Sequence, residues 1–199
     1  VAEIEALAGT ILTGERLALN FIQQLSGTAT LARKFVQAVE GTGVKIAATR
    51  KTFPLLRGLQ KYAVEIGGGI THRLRLDDGI LIKDNHLSVC GDIKSAVQRA
   101  KAKVLEGMKV EVEVENLGEL HRVLEAGADI ILLDNMNIEK LKEAVRINAG
   151  RALLEASGGI KLENARTIAL AGVNIISIGA LTHSAPAVHF TMKLKVLND

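Results

Sequence analysis

Six short apolar segments that alternate with amphipathic ones are the feature that most constrains the fold of this chain. Each is bounded by glycine, proline or polar residues, and they recur about every 20–30 residues, as repeated βα units do. We predict strands over residues 44–49, 79–83, 109–115, 129–134, 151–156 and 174–179. The number and even spacing of these units favour an α/β fold that closes into a (β/α) barrel, with an open doubly wound sheet as the alternative.

The segments between the strands have the apolar periodicity of helices. A long helical region is predicted over residues 14–41, with a break at Ser26-Gly27. A second helix is predicted from Pro54 to about Ile66, where three successive glycines at 67–69 end it. Further helices are predicted over residues 92–104, 117–127, 138–148 and 161–172.

The composition suits one large barrel domain and disfavours several classes of partner. Of the 199 residues, 48% are hydrophobic and only 3% aromatic. This aliphatic composition is typical of parallel strands covered by helices. The net charge of +3 forms no basic stripe, so we expect no nucleic-acid partner. No apolar run approaches the roughly 18 residues of a membrane span. The single cysteine, Cys90, cannot form an internal disulfide, so we expect a cytoplasmic protein without a membrane partner.

The segment 188–197 near the end of the chain alternates strictly between apolar and polar residues. This pattern is typical of a half-buried strand, usually an antiparallel one. Such a strand needs a sheet to lie on, and the rest of the chain is predicted to form a parallel barrel. We therefore expect the partner of this strand to be missing from the chain.

Charged, polar or glycine residues follow almost every predicted strand. In a barrel the active site lies at the carboxyl ends of the strands, so these residues are predicted to meet at one rim. The basic members could together bracket a small polyanion, because arginine pairs bidentately with carboxylate or phosphate and lysine acts as a compact charge. They are Arg50, Lys51, His72, Arg73 and Lys83.

Acidic and glycine residues complete this predicted rim. Glu113 and Asp134 end successive strands, and carboxylates in a basic pocket suit Mg²⁺ shared with substrate phosphates. Glu111 and Glu115 alternate onto the same face as Glu113, so the pattern leaves open which of the three meets the metal. The glycine segments at 157–159 and 178–180 are placed like barrel phosphate sites, where backbone N–H groups meet the anion.

Seven motifs, in order along the chain, resemble those of the quinolinate phosphoribosyltransferase family, a type II phosphoribosyltransferase barrel. The motifs are TRKT (49–52), GGGITHRL (67–74), LIKDNH (81–86), VEVE (112–115), ILLDN (131–135), EASGGI (155–160) and IGALTHS (178–184). The resemblance implies transfer of phosphoribosyl from phosphoribosyl pyrophosphate to quinolinate with decarboxylation. The products would be nicotinate mononucleotide, pyrophosphate and CO₂, in de novo NAD biosynthesis.

The resemblance also implies roles for individual residues. The quinolinate carboxylates would be bound by Arg50, His72, Arg73 and Lys83, with Thr49 nearby. Phosphate groups of the ribosyl donor would be bound by Lys51, Ser157, Gly158 and Gly179. Glu113 and Asp134 would hold Mg²⁺ and the ribose hydroxyls and, with Lys83, would form the catalytic set.

The family implies a further domain and an oligomer. Its members have an N-terminal open sandwich onto which the C-terminal strand packs, and they work as homodimers or dimer-based higher oligomers. We therefore expect residues 1–12 to be a linker, 13–184 the catalytic barrel and 185–199 the strand of the sandwich domain. The alternatives are a related barrel phosphoribosyltransferase that acts on nicotinate, and a non-catalytic barrel fragment.

Overall fold

A computed structural model describes residues 1–196 and contains one parallel sheet of six strands, with helices between them. The strands are β1 (Lys45–Ala48), β2 (Ile80–Ile82), β3 (Val110–Val114), β4 (Ile130–Asp134), β5 (Leu153–Ser157) and β6 (Ile175–Ile178). The helices are α1 (Ala8–Ala38), α2 (Arg57–Ile66), α3 (Asp84–Cys90), α4 (Ile93–Lys101), α5 (Leu117–Ala126), α6 (Ile138–Asn148), α7 (Leu162–Ala169) and α8 (Ala180–His183). The order across the sheet is β1-β6-β5-β4-β3-β2.

The sheet curls into an incomplete barrel whose edge strands are β1 and β2. The segment after α2 continues the curl along the free edge of β1. There the N–H of Ile70 donates to the Ile46 carbonyl at 2.8 Å, and the N–H of Ala48 donates to the Ile70 carbonyl at 3.0 Å. This segment brings His72 and Arg73 to the gap between the two edge strands, which is where they reach the barrel interior.

Alternate residues of each strand pack outward against the helices. Ile131 and Leu133 of β4 and Ile176 of β6 are fully buried members of this outer core. Each buried aliphatic side chain of this size contributes roughly 1.5–3 kcal/mol by leaving water. The intervening residues, among them Glu111, Glu155 and Ser177, face the barrel interior instead, so the two-residue period of the strands separates the apolar core from the polar interior.

The six predicted strands and the α/β barrel class are confirmed. All five strand pairs are parallel, and each strand overlaps its predicted segment. No helix in the described part of the chain combines the length and the hydropathy that crossing a membrane requires. Helices α3 and α8 were not predicted, because each is short and lies directly after a strand.

The predicted break at Ser26-Gly27 is wrong, because α1 runs through both residues without interruption. Gly27 is buried, and a Cβ atom there would overlap the carbonyl oxygen of Pro186 and lie 3.3 Å from the Cα of Ala187. The glycine therefore permits the close approach of two backbones and does not end the helix. Helix α1 also begins at Ala8, so residues 8–12 of the predicted linker are helical.

The segment at 185–196 passes across α1 and forms no strand in the described part of the chain. The N–H of Val188 donates to the Gln23 carbonyl at 3.0 Å, and the Gln23 amide donates to the Phe190 carbonyl at 3.2 Å. Val188, Phe190 and Met192 are half-buried while the residues between them are exposed, which matches the predicted alternation as far as Met192. Leu194 and Val196, predicted on the same apolar face, are exposed. Leu197 lies outside the described residues, and the assignment of this segment to a sandwich domain stays a prediction.

Candidate active site

Three ionisable side chains meet inside the barrel. The Nε2 atom of His72 lies 2.6 Å from Oε2 of Glu155 on β5 and 3.6 Å from Oε2 of Glu111 on β3. Each of the two glutamates is only 2% exposed. Side chains from β3, β5 and the segment beside β1 can meet in this way only because the sheet is strongly curled.

The protonation of this cluster differs from that of the same groups in water. Burial, followed by the charge of Glu155, raises the pKa of Glu111 from 4.5 to about 7. Burial alone would lower the pKa of His72, but its hydrogen bond to Glu155 and the charges of Glu155 and Glu111 raise it above 6.5. The cluster therefore binds more protons near neutral pH than its members would in the unfolded chain.

We predict that Glu111→Gln stabilises the fold at pH 8. The native carboxyl stays protonated between pH 4.5 and about 7 while the unfolded one ionises, so its contribution to stability is lost as pH rises through that window. Removing the carboxyl should raise stability at pH 8 by on the order of 2 kcal/mol, or roughly 4–8 °C in melting temperature. At pH 4 the gain should disappear. Thermal melts at both pH values test this, and an equal shift at both would contradict the assigned cause.

Two arginines of the predicted site are at least partly buried, and Arg73 lies next to the cluster. The Nε atom of Arg73 lies 3.8 Å from Oε2 of Glu111, and the Arg73 side chain is 17% exposed. The Nε atom of Arg50 is buried and has no hydrogen-bond partner among residues 1–196. A buried guanidinium N–H without an acceptor is costly, which favours an anion as its partner.

A cavity of about 220 Å³ reaches this cluster from the amino-terminal ends of β2, β3 and β4. His72, Arg73 and Glu111 contribute to its wall, together with Lys109 just before β3. The cluster is therefore deeper than the carboxyl-terminal rim that the strand pattern predicts. It lies inside the barrel, below the rim residues.

The rim itself holds a second ion pair. Lys83, just after β2, donates to Glu113 of β3, and their side chains are 46% and 16% exposed. Asp134 ends β4, and its Oδ2 atom accepts a hydrogen bond from the Asn135 amide at 2.9 Å. The two predicted carboxylates thus lie on adjacent strands at the carboxyl end of the sheet.

Glycine loops follow β5 and β6 at the same end. Gly158 has φ +88°, and a Cβ atom there would overlap the side-chain amide of Asn135. At Gly179 a Cβ atom would lie 3.0 Å from Nε2 of His183 and 3.2 Å from Cδ of Lys51. Both glycines therefore permit an approach between backbone and side chains that a larger residue would block.

The predicted site residues fall into two layers, one at the carboxyl-terminal rim and one deeper in the barrel. The rim layer consists of Lys51, Lys83, Glu113, Asp134, Ser157, Gly158 and Gly179, all at or just past strand ends. Arg50, His72 and Arg73 lie in partly buried positions, with Thr49 accepting the N–H of Lys51 at 3.2 Å. Glu115 lies beyond β3 and is exposed, so of the three alternating glutamates only Glu111 and Glu113 face the interior.

The strand pattern placed Glu155 among the residues at the rim, and it did not single out two other polar residues of the interior, Ser177 and Lys61. Glu155 is the third residue of β5 rather than its end, and Ser177 is buried with its hydroxyl unpartnered among residues 1–196. Lys61 of α2 is only 1% exposed. The signal that indicates Glu155 and Ser177 is a charged or hydroxyl residue at a strand position whose alternation points inward. Lys61 has no such signal, because lysine on an amphipathic helix is ordinarily exposed.

The donor chemistry at the rim fits a magnesium ion. Mg²⁺ is commonly bound by one or two carboxylates together with substrate phosphates, and Glu113 and Asp134 provide that number. Within residues 1–196, the close three-ligand cluster is His72, Glu111 and Glu155, not the rim pair. The carboxylates of that buried cluster are paired with His72 and Arg73 away from the rim. The rim pair is the better candidate, because Glu113 and Asp134 lie where substrate phosphates are expected and Mg²⁺ can replace Lys83 as the partner of Glu113.

The curled parallel sheet, interior cations and glycine loops define a barrel protein with a site for a small anionic ligand. Residues 28–193 match the sequence profile described as quinolinate phosphoribosyl transferase, C-terminal domain. The chain belongs to the quinolinate phosphoribosyl transferase family. This confirms the resemblance that the seven motifs indicated.

Named relatives agree with this family. The chain is 47% identical to a probable nicotinate-nucleotide pyrophosphorylase (carboxylating) of Methanocaldococcus jannaschii, over 98% of this chain and 71% of that protein. It is 42% identical to the protein of the same name in Bacillus subtilis, over 100% of this chain and 69% of that protein. The crystal structure of nicotinate-nucleotide pyrophosphorylase from Ehrlichia chaffeensis superposes with a TM-score of 0.88 at 48% identity, covering 92% of this chain and 66% of that one.

Proposed function

We propose that this chain is the catalytic barrel of a carboxylating nicotinate-nucleotide pyrophosphorylase. It transfers phosphoribosyl from phosphoribosyl pyrophosphate to the ring nitrogen of quinolinate. Pyrophosphate and CO₂ leave, and nicotinate mononucleotide is formed. The observation that supports this most is the set of predicted anion-binding cations. Arg73 lies next to the buried cluster of His72 and Glu111, and Arg50, just after β1, has a buried N–H with no hydrogen-bond partner among residues 1–196.

Quinolinate has two adjacent carboxylates, and the interior has cations for both. Arg50 and Arg73 are the bidentate donors, and a protonated His72 is a third positive group within the same region. The glutamates behind His72 favour its protonated form, because its pKa is raised by Glu155 and Glu111 despite burial. Lys83 at the rim is paired with Glu113 in the free protein. When Glu113 binds the donor substrate instead, Lys83 is released to bind a carboxylate of quinolinate.

The ribosyl donor binds at the rim above quinolinate. Lys51, Ser157, Gly158 and Gly179 surround the position of its phosphates, where glycine loops expose backbone N–H groups. Glu113 and Asp134 would accept hydrogen bonds from the ribose hydroxyls and would hold Mg²⁺. Mg²⁺ held by these residues would supply positive charge for the departing pyrophosphate.

The residues act mainly by positioning and by electrostatics. The anomeric carbon gains positive character as its bond to pyrophosphate breaks, and Lys51 stabilises the negative charge of the leaving group. The interior arginines hold the ring so that its nitrogen faces that carbon. After the nitrogen is alkylated, the adjacent carboxylate leaves as CO₂ and its bonding electron pair stays on the ring carbon. The positive nitrogen next to that carbon stabilises the carbanion until the carbon takes up a proton from water.

We also propose that the enzyme works as a cytoplasmic dimer or a larger assembly of dimers. Large apolar side chains remain exposed along α1, including Leu12, Leu17 and Phe21. An apolar groove between α1 and the segment before α2 is lined by Leu17, Phe21, Leu25 and Phe53. Exposed apolar surface of this kind supports an interface with another subunit or domain.

A turnover assay with two candidate substrates tests this function. The purified protein with Mg²⁺ and phosphoribosyl pyrophosphate should convert quinolinate to nicotinate mononucleotide and should leave nicotinate unchanged. Nicotinate has one carboxylate, so it cannot satisfy the same set of interior cations. Conversion of nicotinate in preference to quinolinate would overturn the proposal in favour of the related phosphoribosyltransferase activity.

A further inference from the structure

The buried amine of Lys61 joins three backbone segments around the candidate site. Its Nζ atom donates to the Ala48 carbonyl at 2.7 Å, to the Arg73 carbonyl at 2.9 Å and to the Thr71 carbonyl. Ala48 is the last residue of β1 and immediately precedes Thr49 and Arg50. One side chain on α2 therefore holds two segments of the site: the end of β1, just before Arg50, and the loop that carries His72 and Arg73.

The two acceptors in the loop flank His72, whose backbone is in a sparsely populated conformation. His72 has φ +52°, in the left-handed region that non-glycine residues enter only at an energetic cost. A conformation of this kind persists when the surrounding structure determines it from several sides. Lys61 donates hydrogen bonds to the carbonyls of Thr71 and Arg73, one residue before and one residue after His72. These bonds hold the backbone of His72 in its left-handed conformation.

From this geometry, and on the basis of the proposed function, we infer that Lys61 is a positioning residue for quinolinate. It holds the backbone of His72 and Arg73 in the conformation that directs both side chains into the barrel, without touching the substrate itself. All three of its N–H groups are used, so the amine must be protonated to make the full set of bonds. The neutral amine has two N–H groups and a lone pair, which would face one carbonyl unfavourably.

The protonation of Lys61 gives this role a measurable pH dependence. Burial lowers its pKa from 10.5 to about 8. The negative charge of Asp78 opposes that shift, whereas the positive charges of Arg57, Arg73 and Arg50 add to it. Quinolinate affinity should therefore fall as pH rises through about 8, whereas fold stability should rise between pH 8 and 10.5, where only the unfolded lysine keeps its proton.

The test compares Lys61→Met with Lys45→Met, which changes an exposed lysine at the start of β1. Calorimetric titration of wild-type protein with quinolinate comes first, and failure to bind would contradict the proposed function itself. If wild type binds, Lys61→Met should weaken quinolinate binding at pH 7.5 at least tenfold, and Lys45→Met less than twofold. Affinity for phosphoribosyl pyrophosphate should fall less than quinolinate affinity in Lys61→Met. Lys51, the donor residue on this segment, lies three residues past the Ala48 carbonyl, whereas Arg73 itself and the residue before His72 provide the other two acceptors.

The pH profile separates positioning from a general loss of structure. Between pH 7.5 and 9, wild type should lose at least fivefold in quinolinate affinity, and the folded Lys61→Met variant should lack this step. Should that variant fail to fold, His72→Asn replaces it, because it removes the competing imidazole titration yet should keep the alkaline step in its residual binding. Wild-type quinolinate affinity in folded Lys61→Met, or a flat profile in His72→Asn, would overturn the inference.

Discussion

Replacing Arg73 with alanine should reduce quinolinate affinity by about 100-fold or more, close to 3 kcal/mol. The Arg73 guanidinium lies 3.8 Å from buried Glu111 and is only 17% exposed, so the pairing it offers a carboxylate is shielded from water. Its loss would leave one substrate carboxylate beside two glutamates without their compensating cation. Calorimetric titration of the variant with quinolinate measures the effect.

Arg75 provides a matched control two residues further along the same loop. Its side chain is 70% exposed, and its Nε atom lies 3.3 Å from Oδ1 of Asp77 in a surface ion pair. Surface pairs of this kind contribute little, so Arg75→Ala should change quinolinate affinity less than twofold. Equal losses in the two variants would indicate that only the overall charge of the loop matters, and would refute the assignment of Arg73 to the substrate.

Replacing Gly158 with alanine should weaken binding of phosphoribosyl pyrophosphate by at least tenfold. At φ +88° an alanine is strained by about 1–3 kcal/mol, and its Cβ atom would overlap the Asn135 amide. Moving Asn135 aside is expected to disturb its 2.9 Å hydrogen bond to Asp134, the predicted ribose and metal residue. A substitution in the loop after β5 is therefore expected to change the position of the Asp134 carboxylate on the neighbouring strand.

Gly150→Ala separates the strain from the displacement of Asn135. Gly150 has φ +77°, and nothing lies within 4 Å of the position its Cβ atom would take. Both variants should lose stability from backbone strain, Gly158→Ala more because of its overlap with Asn135, but only Gly158→Ala should lose donor affinity. Thermal melts and donor titrations of both proteins measure this, and unchanged donor affinity in folded Gly158→Ala would contradict the assigned loop.

The strand pattern predicted the sheet well because buried parallel strands leave a strong apolar signal. Alternation also identified the face of β3 to which Glu111 and Glu113 belong. Alternation could not show how far each glutamate lies from the rim, because both residues obey the same two-residue period. Only the curl of the sheet places Glu111 beside Glu155 and His72 and leaves Glu113 at the rim with Lys83.

Two residues had local sequence signals that tertiary contacts override. Gly27 follows a serine within a helical region, which favours a break, yet it is retained inside α1 because the backbone at Pro186 packs against it. Lys61 lies on an amphipathic helix, where lysine is ordinarily solvated. Its burial depends on the loop carrying Thr71 and Arg73 folding over α2, a contact that no short-range pattern contains.

The most direct test of the central claim is the fate of the quinolinate carboxylate beside the ring nitrogen. A single-turnover reaction, with enzyme in excess and that carboxylate labelled with ¹⁴C, detects even slow conversion in the presence of Mg²⁺ and phosphoribosyl pyrophosphate. The proposed function predicts one labelled CO₂ for every nicotinate mononucleotide formed. Nucleotide that retains the label, or no nucleotide from protein that binds both substrates, would contradict it.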